Sequence, residues 1–216
     1  MRGSQYPLIV RWEDRVGTSR EEIVLDVTAL AAGQPRQFEL GSWTVSPNNE
    51  RLAFTVDFNG NREFRIFVRT LPAGQVVDEG IENAASNLVF GGDSETLFYV
   101  RNEPQTVRSY QVWRHRVGSD PKSDVLIYEE KDPTFSISLD LSKSRKFMLL
   151  NIEGEQTTEV RYLVVDPSTG PLNLIEPRRR GVIYEADHTG DTFFIRTNLS
   201  APDFRLMSAP EACPNQ

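Results

Sequence analysis

The 216-residue chain has one cysteine and two histidines, and each scarcity closes off a class of function. Cys213 stands alone, so no disulfide can form within the chain. Cys213, His115 and His188 are too far apart in sequence to give a recognisable zinc-ligand set. No run approaches the roughly eighteen apolar residues of a membrane-spanning helix, and the N-terminus lacks the apolar core of a signal peptide. A soluble chain in a reducing, cytoplasmic setting is the expectation. A nucleophile elbow, Gly-x-Ser-x-Gly, is also missing. The nearest serine is Ser94 in "GGDSET", where Glu95 and Thr96 stand in place of the second glycine, and it reads as a turn.

Positive charge is scarce too. A net charge of −7 argues against nucleic acid or an anionic membrane as a partner. The only basic run, Arg178-Arg179-Arg180, lies between Pro177 and Gly181 and reads as a solvated loop.

What the chain does have is a repeat. Short runs rich in aromatic and β-branched residues alternate with clusters of Gly, Pro, Asn, Asp and Ser, the pattern of an all-β protein. Only "DVTALAAG" (26–33) offers a turn or two of helix. The segments "SPNNERLAF" (46–54), "GGDSETLFY" (91–99), "LSKSRKFML" (141–149) and "DHTGDTFFI" (187–195) align without gaps. Their anchors Leu52, Leu97, Phe147 and Phe193 are 45, 50 and 46 residues apart. A second run follows in each unit, with Arg65, Gln111, Arg161 and Arg205 in equivalent places. Closing strands come at "QVVDEGI" (75–81), "SDVLIYEE" (123–130) and "PLNLIEP" (171–177).

Four strands per 45–50 residues is the size of a propeller blade. The fold class is therefore read as an incomplete β-propeller of four-stranded antiparallel blades, about three full and two partial. The units run approximately over 5–34, 35–83, 84–131, 132–181 and 182–210, with a tail at 211–216. "YPLIVRW" and "EEIVLDV" read as the third and fourth strands of the first unit, and "DFRLMSAP" as the third strand of the last. A β-sandwich is the alternative, but it has no need of such even spacing.

His115 falls in the third strand of a blade. Alternation puts Trp113, His115 and Val117 on one face and Arg114 and Arg116 on the other. With no nucleophile in view it reads as a structural histidine. His188, in "DHTGD", sits in an Asp-Gly turn and is expected to be exposed. Asp187 and Asp191 around it lack the ligand spacing of a calcium loop. No catalytic, cofactor or metal residue is assigned.

The phrases "WTVSPNNERLAFTVDFNGNREFRIFVRTL", "LFYVRNE", "SYQVWRHRVGSDPKSDVLIYEE", "EPRRRGVIYEADHTGDTFFIRTN" and "DFRLMSAP" resemble oligopeptidase B, a branch of the prolyl oligopeptidase family of serine peptidases. The resemblance runs from about Gln5 to Pro210. It implies a propeller that covers a separate α/β-hydrolase domain bearing the catalytic triad, with no counterpart of that domain in this chain. It further implies that the propeller admits short peptides, which are cleaved after Lys or Arg. By this reading the chain is inactive alone, and its partners are the hydrolase domain and short basic peptides. Glu79, Glu82, Asp93, Glu129 and Glu130, near strand ends, are candidates for inter-domain contacts, though most are expected to be solubilising. An independent scaffold that binds a protein or peptide is the rival reading. Open strand edges predict self-association.

Overall fold

The computed structural model describes residues 6–15, 18–35 and 37–214, without the side chains of 13–15 and 18–20. The expected start at Gln5 and the last two residues of the tail lie outside the described residues. Strands β1 (Leu8–Arg15) and β2 (Thr18–Asp26) pair antiparallel as a first sheet. The short helix α1 (Val27–Ala31) follows, and Asp26 caps it by accepting a hydrogen bond from the Ala29 amide at 2.9 Å.

The second sheet contains β3 (Glu39–Val45), β4 (Arg51–Asp57), β5 (Arg65–Thr70) and β6 (Val76–Asp78). The third contains β7 (Ala84–Phe90), β8 (Thr96–Asn102), β9 (Ser109–Arg116) and β10 (Val125–Glu129). The fourth contains β11 (Ser136–Leu141), β12 (Phe147–Gly154), β13 (Thr157–Val164) and β14 (Asn173–Glu176). The fifth has only β15 (Tyr184–Thr189), β16 (Thr192–Thr197) and β17 (Arg205–Pro210). In every sheet the strand order follows the chain, and all paired neighbours are antiparallel. Three complete four-stranded sheets and two partial ones are what the expected incomplete propeller requires.

Each middle sheet is apolar on both faces because it packs against a neighbour on each side. Leu52, Phe54 and Val56 of β4 meet Val24 and Leu25 of the first sheet, whereas Ala53 turns toward Leu97 and Tyr99 of the third. Phe98 and Val100 of β8 in turn meet Met148, Leu150 and Ile152 of β12. Phe147 and Leu149 meet Tyr184 and Phe193 of the fifth sheet. The core is thus a series of four layers between successive sheets. Burying each large side chain contributes about 1.5–3 kcal/mol.

All four anchors are buried, but one faces the other way. Leu52, Leu97 and Phe193 point to the preceding sheet, while Phe147 points to the following one. Met148 fills the equivalent place and packs on the third sheet. The backbone agrees. Asn49, Ser94, Arg145 and Gly190 all have φ near 60°, and each stands three residues before Leu52, Leu97, Met148 or Phe193. In a run such as Phe-Met-Leu-Leu every residue is apolar, so alternation cannot tell the two faces apart. Arg161 of β13 lies opposite Leu150 and, like Arg65, Gln111 and Arg205, faces the preceding sheet.

Candidate functional site

The polar residues that pattern reasoning singled out gather at the joints between sheets. Ser94 is buried in the turn before β8. Its Oγ accepts from the Asn48 amide at 3.1 Å, and its carbonyl accepts from the Arg51 guanidinium at 2.7 Å, tying the second sheet to the third. Neither imidazole is among its hydrogen-bond partners. Asp93 beside it accepts from the Thr96 amide and hydroxyl, at 2.8 and 2.7 Å, and from Ser168 of the fourth sheet's β13–β14 connection at 3.4 Å. Partial burial works against its charge, and these hydrogen bonds outweigh it, holding the carboxyl below its usual range.

His115 lies on β9 facing the second sheet, with Trp113 and Val117 on the same apolar layer, as alternation predicts. It is fully buried between two carboxylates. Nδ1 is 2.7 Å from Asp124 Oδ1, just before β10, and Nε2 is 3.0 Å from Glu79 Oε2, in the connection from β6 to β7. The Gly118 amide also donates to Glu79 Oε2, at 2.6 Å, and the Tyr99 hydroxyl donates to Asp124 Oδ2 at 2.9 Å. Arg101 donates to the Tyr99 hydroxyl and stacks on Trp113. Burial opposes the imidazolium, but the hydrogen bonds and charges of Asp124 and Glu79 prevail and push its pKa up to about 9.

His188 departs from expectation. It is fully buried on β15, not exposed in a turn, because its ring packs edge-on between Phe147 and Phe193 with centroids 4.7 Å away on both sides. Nδ1 is 2.8 Å from Ser144 Oγ, and Nε2 is 3.2 Å from Glu211 Oε2. A serine, a histidine and a carboxylate therefore touch in line. They do not form a working triad, because the Nε2–Glu211 approach is too poorly aligned for a hydrogen bond. The Ser144 amide is already committed to the His188 carbonyl at 2.9 Å, which leaves it unavailable to an oxyanion. Asp187 accepts from the Lys143 amide at 2.9 Å, and Asp191 is exposed. Among the described residues no group of His, Cys, Asp or Glu is arranged to hold a metal ion.

The acidic candidates divide. Glu79 and Glu130 are buried, against the expectation of solubilising residues, because each has a basic partner, His115 and Arg178 respectively. Glu130 pairs with Arg178 at 2.6 Å, and Arg178 also reaches Glu159 and stacks on Phe135. Burial opposes the Glu130 charge, and Arg178 together with the Asp132 amide and the Tyr128 hydroxyl outweighs it, holding that carboxyl low. The basic run is thus a solvated loop only at Arg179 and Arg180. Glu82 and Glu129 are exposed, Glu82 lying 3.4 Å from Arg65 and Glu129 accepting from Gln111. Glu82 also borders a cavity of about 800 Å³ on the rim formed by the β4–β5, β6–β7 and β8–β9 connections. Phe58 and Phe67 supply its apolar wall, and Glu63, Asp78 and Arg65 its charges.

Sequence reasoning missed both carboxylate partners of His115. Glu79 is 36 residues away on the neighbouring sheet's connection, and only the packing of one sheet on the next brings it near.

Known proteins share this plan. The chain is 34% identical to dipeptidyl aminopeptidase BI of Pseudoxanthomonas mexicana, over 96% of this chain and 31% of that protein. Protease 2 of Moraxella lacunata is 29% identical, over 97% of this chain and 31% of its own. The structure of oligopeptidase B from Leishmania major superposes with a TM-score of 0.82 at 27% identity, covering 91% of this chain and 28% of that one. The chain thus spans about three-tenths of the length of these relatives. The whole sequence, residues 1–216, matches the family described as prolyl oligopeptidase, N-terminal beta-propeller domain. This chain belongs to that propeller family.

Proposed function

We propose that the chain is the non-catalytic propeller portion of an oligopeptidase B-like serine endopeptidase, restricting access of short peptides to a separate α/β-hydrolase domain that cleaves after Lys or Arg. The observation that carries this reading is the match of all 216 residues to the propeller family, in a chain that spans only about three-tenths of its peptidase relatives. The joints described above support it, since their polar groups are committed to holding sheets together. A net charge of −7 and the acidic side chains on the rim cavity favour approach of basic peptides.

The exposed apolar residues Trp12 and Ile23 on the first sheet, and Phe194 and Leu206 on the fifth, are consistent with further contacts at both ends. In isolation the chain is expected to self-associate through these ends, and light scattering over a concentration series checks it. A strictly monomeric chain with well-protected terminal strands favours an independent scaffold.

The test of the gating role uses a longer product of the same reading frame, assayed on Arg- and Lys-containing peptides of increasing length. The reading predicts cleavage after the basic residue that falls steeply with length, and a fluorophosphonate-labelled serine outside residues 1–216. Length-independent cleavage overturns the gating role. A stop codon directly after the chain, with an intact peptidase encoded elsewhere, favours the scaffold.

A further inference from the structure

We propose that His115 is a charged pin at neutral pH, and that its deprotonation in alkaline solution frees the connection 79–83 that borders the rim cavity. The argument begins with hydrogen-bond roles. A carboxylate oxygen only accepts, so an imidazole with each nitrogen against a carboxylate must donate from both. The remaining bonds to these groups fit two ionised carboxylates. Glu79 Oε2 already receives the Gly118 amide, and Asp124 Oδ2 receives the Tyr99 hydroxyl.

The charged and titratable groups at this joint come from four places. His115 lies on β9, Tyr99 and Arg101 on β8, Glu79 in the β6–β7 connection, and Asp124 before β10. The imidazolium and the two carboxylates leave one net negative charge, and Arg101 approaches it through the Tyr99 hydroxyl. Both carboxylate–imidazole contacts are buried, with side-chain exposures of 0% for His115, 2% for Glu79 and 1% for Asp124. The arrangement is therefore sensitive to a single proton.

A neutral ring has one donor for two carboxylates. The contact to Asp124 is the shorter, so the one to Glu79, at 3.0 Å, is the one lost. Lone pairs would then face each other across that gap. Glu79 is the first residue of the connection whose backbone is stitched to β5 and to Phe64, through Glu79 N to Ile66 O and Ala84 N to Phe64 O, both at 3.0 Å. Glu82 and Asn83, in the same connection, line the rim cavity. Loss of the pin thus reaches the cavity wall through five residues of chain.

The experiment uses the chain with ¹⁵N-labelled histidine, following both ring nitrogens from neutral pH to about pH 11. His188→Gln assigns the two sets of signals. The expected result is two protonated nitrogens on His115 at neutral pH and a transition well above the ordinary histidine value. Hydrogen exchange, corrected for intrinsic rates, is expected to show Glu79 and Ala84 losing protection through the same transition while β12 stays protected. Glu79→Gln keeps an acceptor but removes a charge, and is expected to lower the transition by at least about one pH unit. Asp124→Asn serves in its place should that variant not fold. A His115 ring with one protonated nitrogen at neutral pH overturns the charged pin. Protection at Glu79 and Ala84 that is unchanged across the transition overturns the release.

Discussion

His115 and His188 are both fully buried on strands, and both face the preceding sheet, yet they hold their joints by different physics. His115 works by charge, between Glu79 and Asp124. His188 works mainly by shape, filling the space between Phe147 and Phe193 with one good hydrogen bond, to Ser144. The contrast teaches that burial of a histidine does not reveal its role. What decides is how many acceptors its two nitrogens meet.

The sharpest way to break the comparison is to exchange each ring for phenylalanine. His115→Phe leaves two buried carboxylates with no cation between them, and is expected to cost about 3–5 kcal/mol in urea unfolding. Adding Glu79→Gln and Asp124→Asn to that variant should recover most of the loss, because the uncompensated charge is then gone. A cost below about 1 kcal/mol for His115→Phe would place the two joints in the same class.

The second effect is alkaline. The folded pKa of His115 is about 9, raised from the ordinary 6.5, so its contribution is complete below pH 6.5 and shrinks as pH rises. Above about 9 it is gone. The difference corresponds to about 3 kcal/mol, and since the ring has no exposed surface, solvent screening removes little of it. Unfolding curves between pH 6.5 and about 9 should show this loss in the parent chain and in His188→Phe, and should lack it in His115→Phe.

Smaller effects belong to the other joint. His188→Phe keeps the ring packing and removes the bond to Ser144, for an expected cost of about 1 kcal/mol. Lys146→Ala, which breaks a half-exposed pair with Glu211, is expected to cost less than about 0.5 kcal/mol. Were either to exceed the loss in His115→Phe, the ranking of the two joints would be reversed.

How much of this was legible in the sequence follows from the range of each interaction. The strands and their order were, because turn residues and apolar runs are local signals, and the closing segments at 75–81, 123–130 and 171–177 contain β6, β10 and β14. The facing of β9 was legible because charged and apolar residues alternate there. The facing of β12 was not, since "FMLL" gives no contrast and the repeat was aligned one residue out of step. Burial of His188 was hidden for a different reason. Its neighbours Asp187, Thr189 and Gly190 are polar or small, and the rings that enclose it come from β12 and β16. The charged joints were hidden because Glu79 and His115, like Glu130 and Arg178, belong to different sheets and meet only once the sheets stack, whereas Asp124 meets His115 within the third sheet through the β9–β10 pairing.

The central proposal, that this propeller chain carries no catalytic serine of its own, is tested most directly by the purified chain itself. It is incubated with a fluorophosphonate probe and with chromogenic peptides ending in Arg or Lys. The account predicts no stoichiometric labelling of any serine, Ser94 and Ser144 included, and no turnover. Labelling of Ser144 at one probe per chain, with turnover abolished by Ser144→Ala and by His188→Gln, would contradict it.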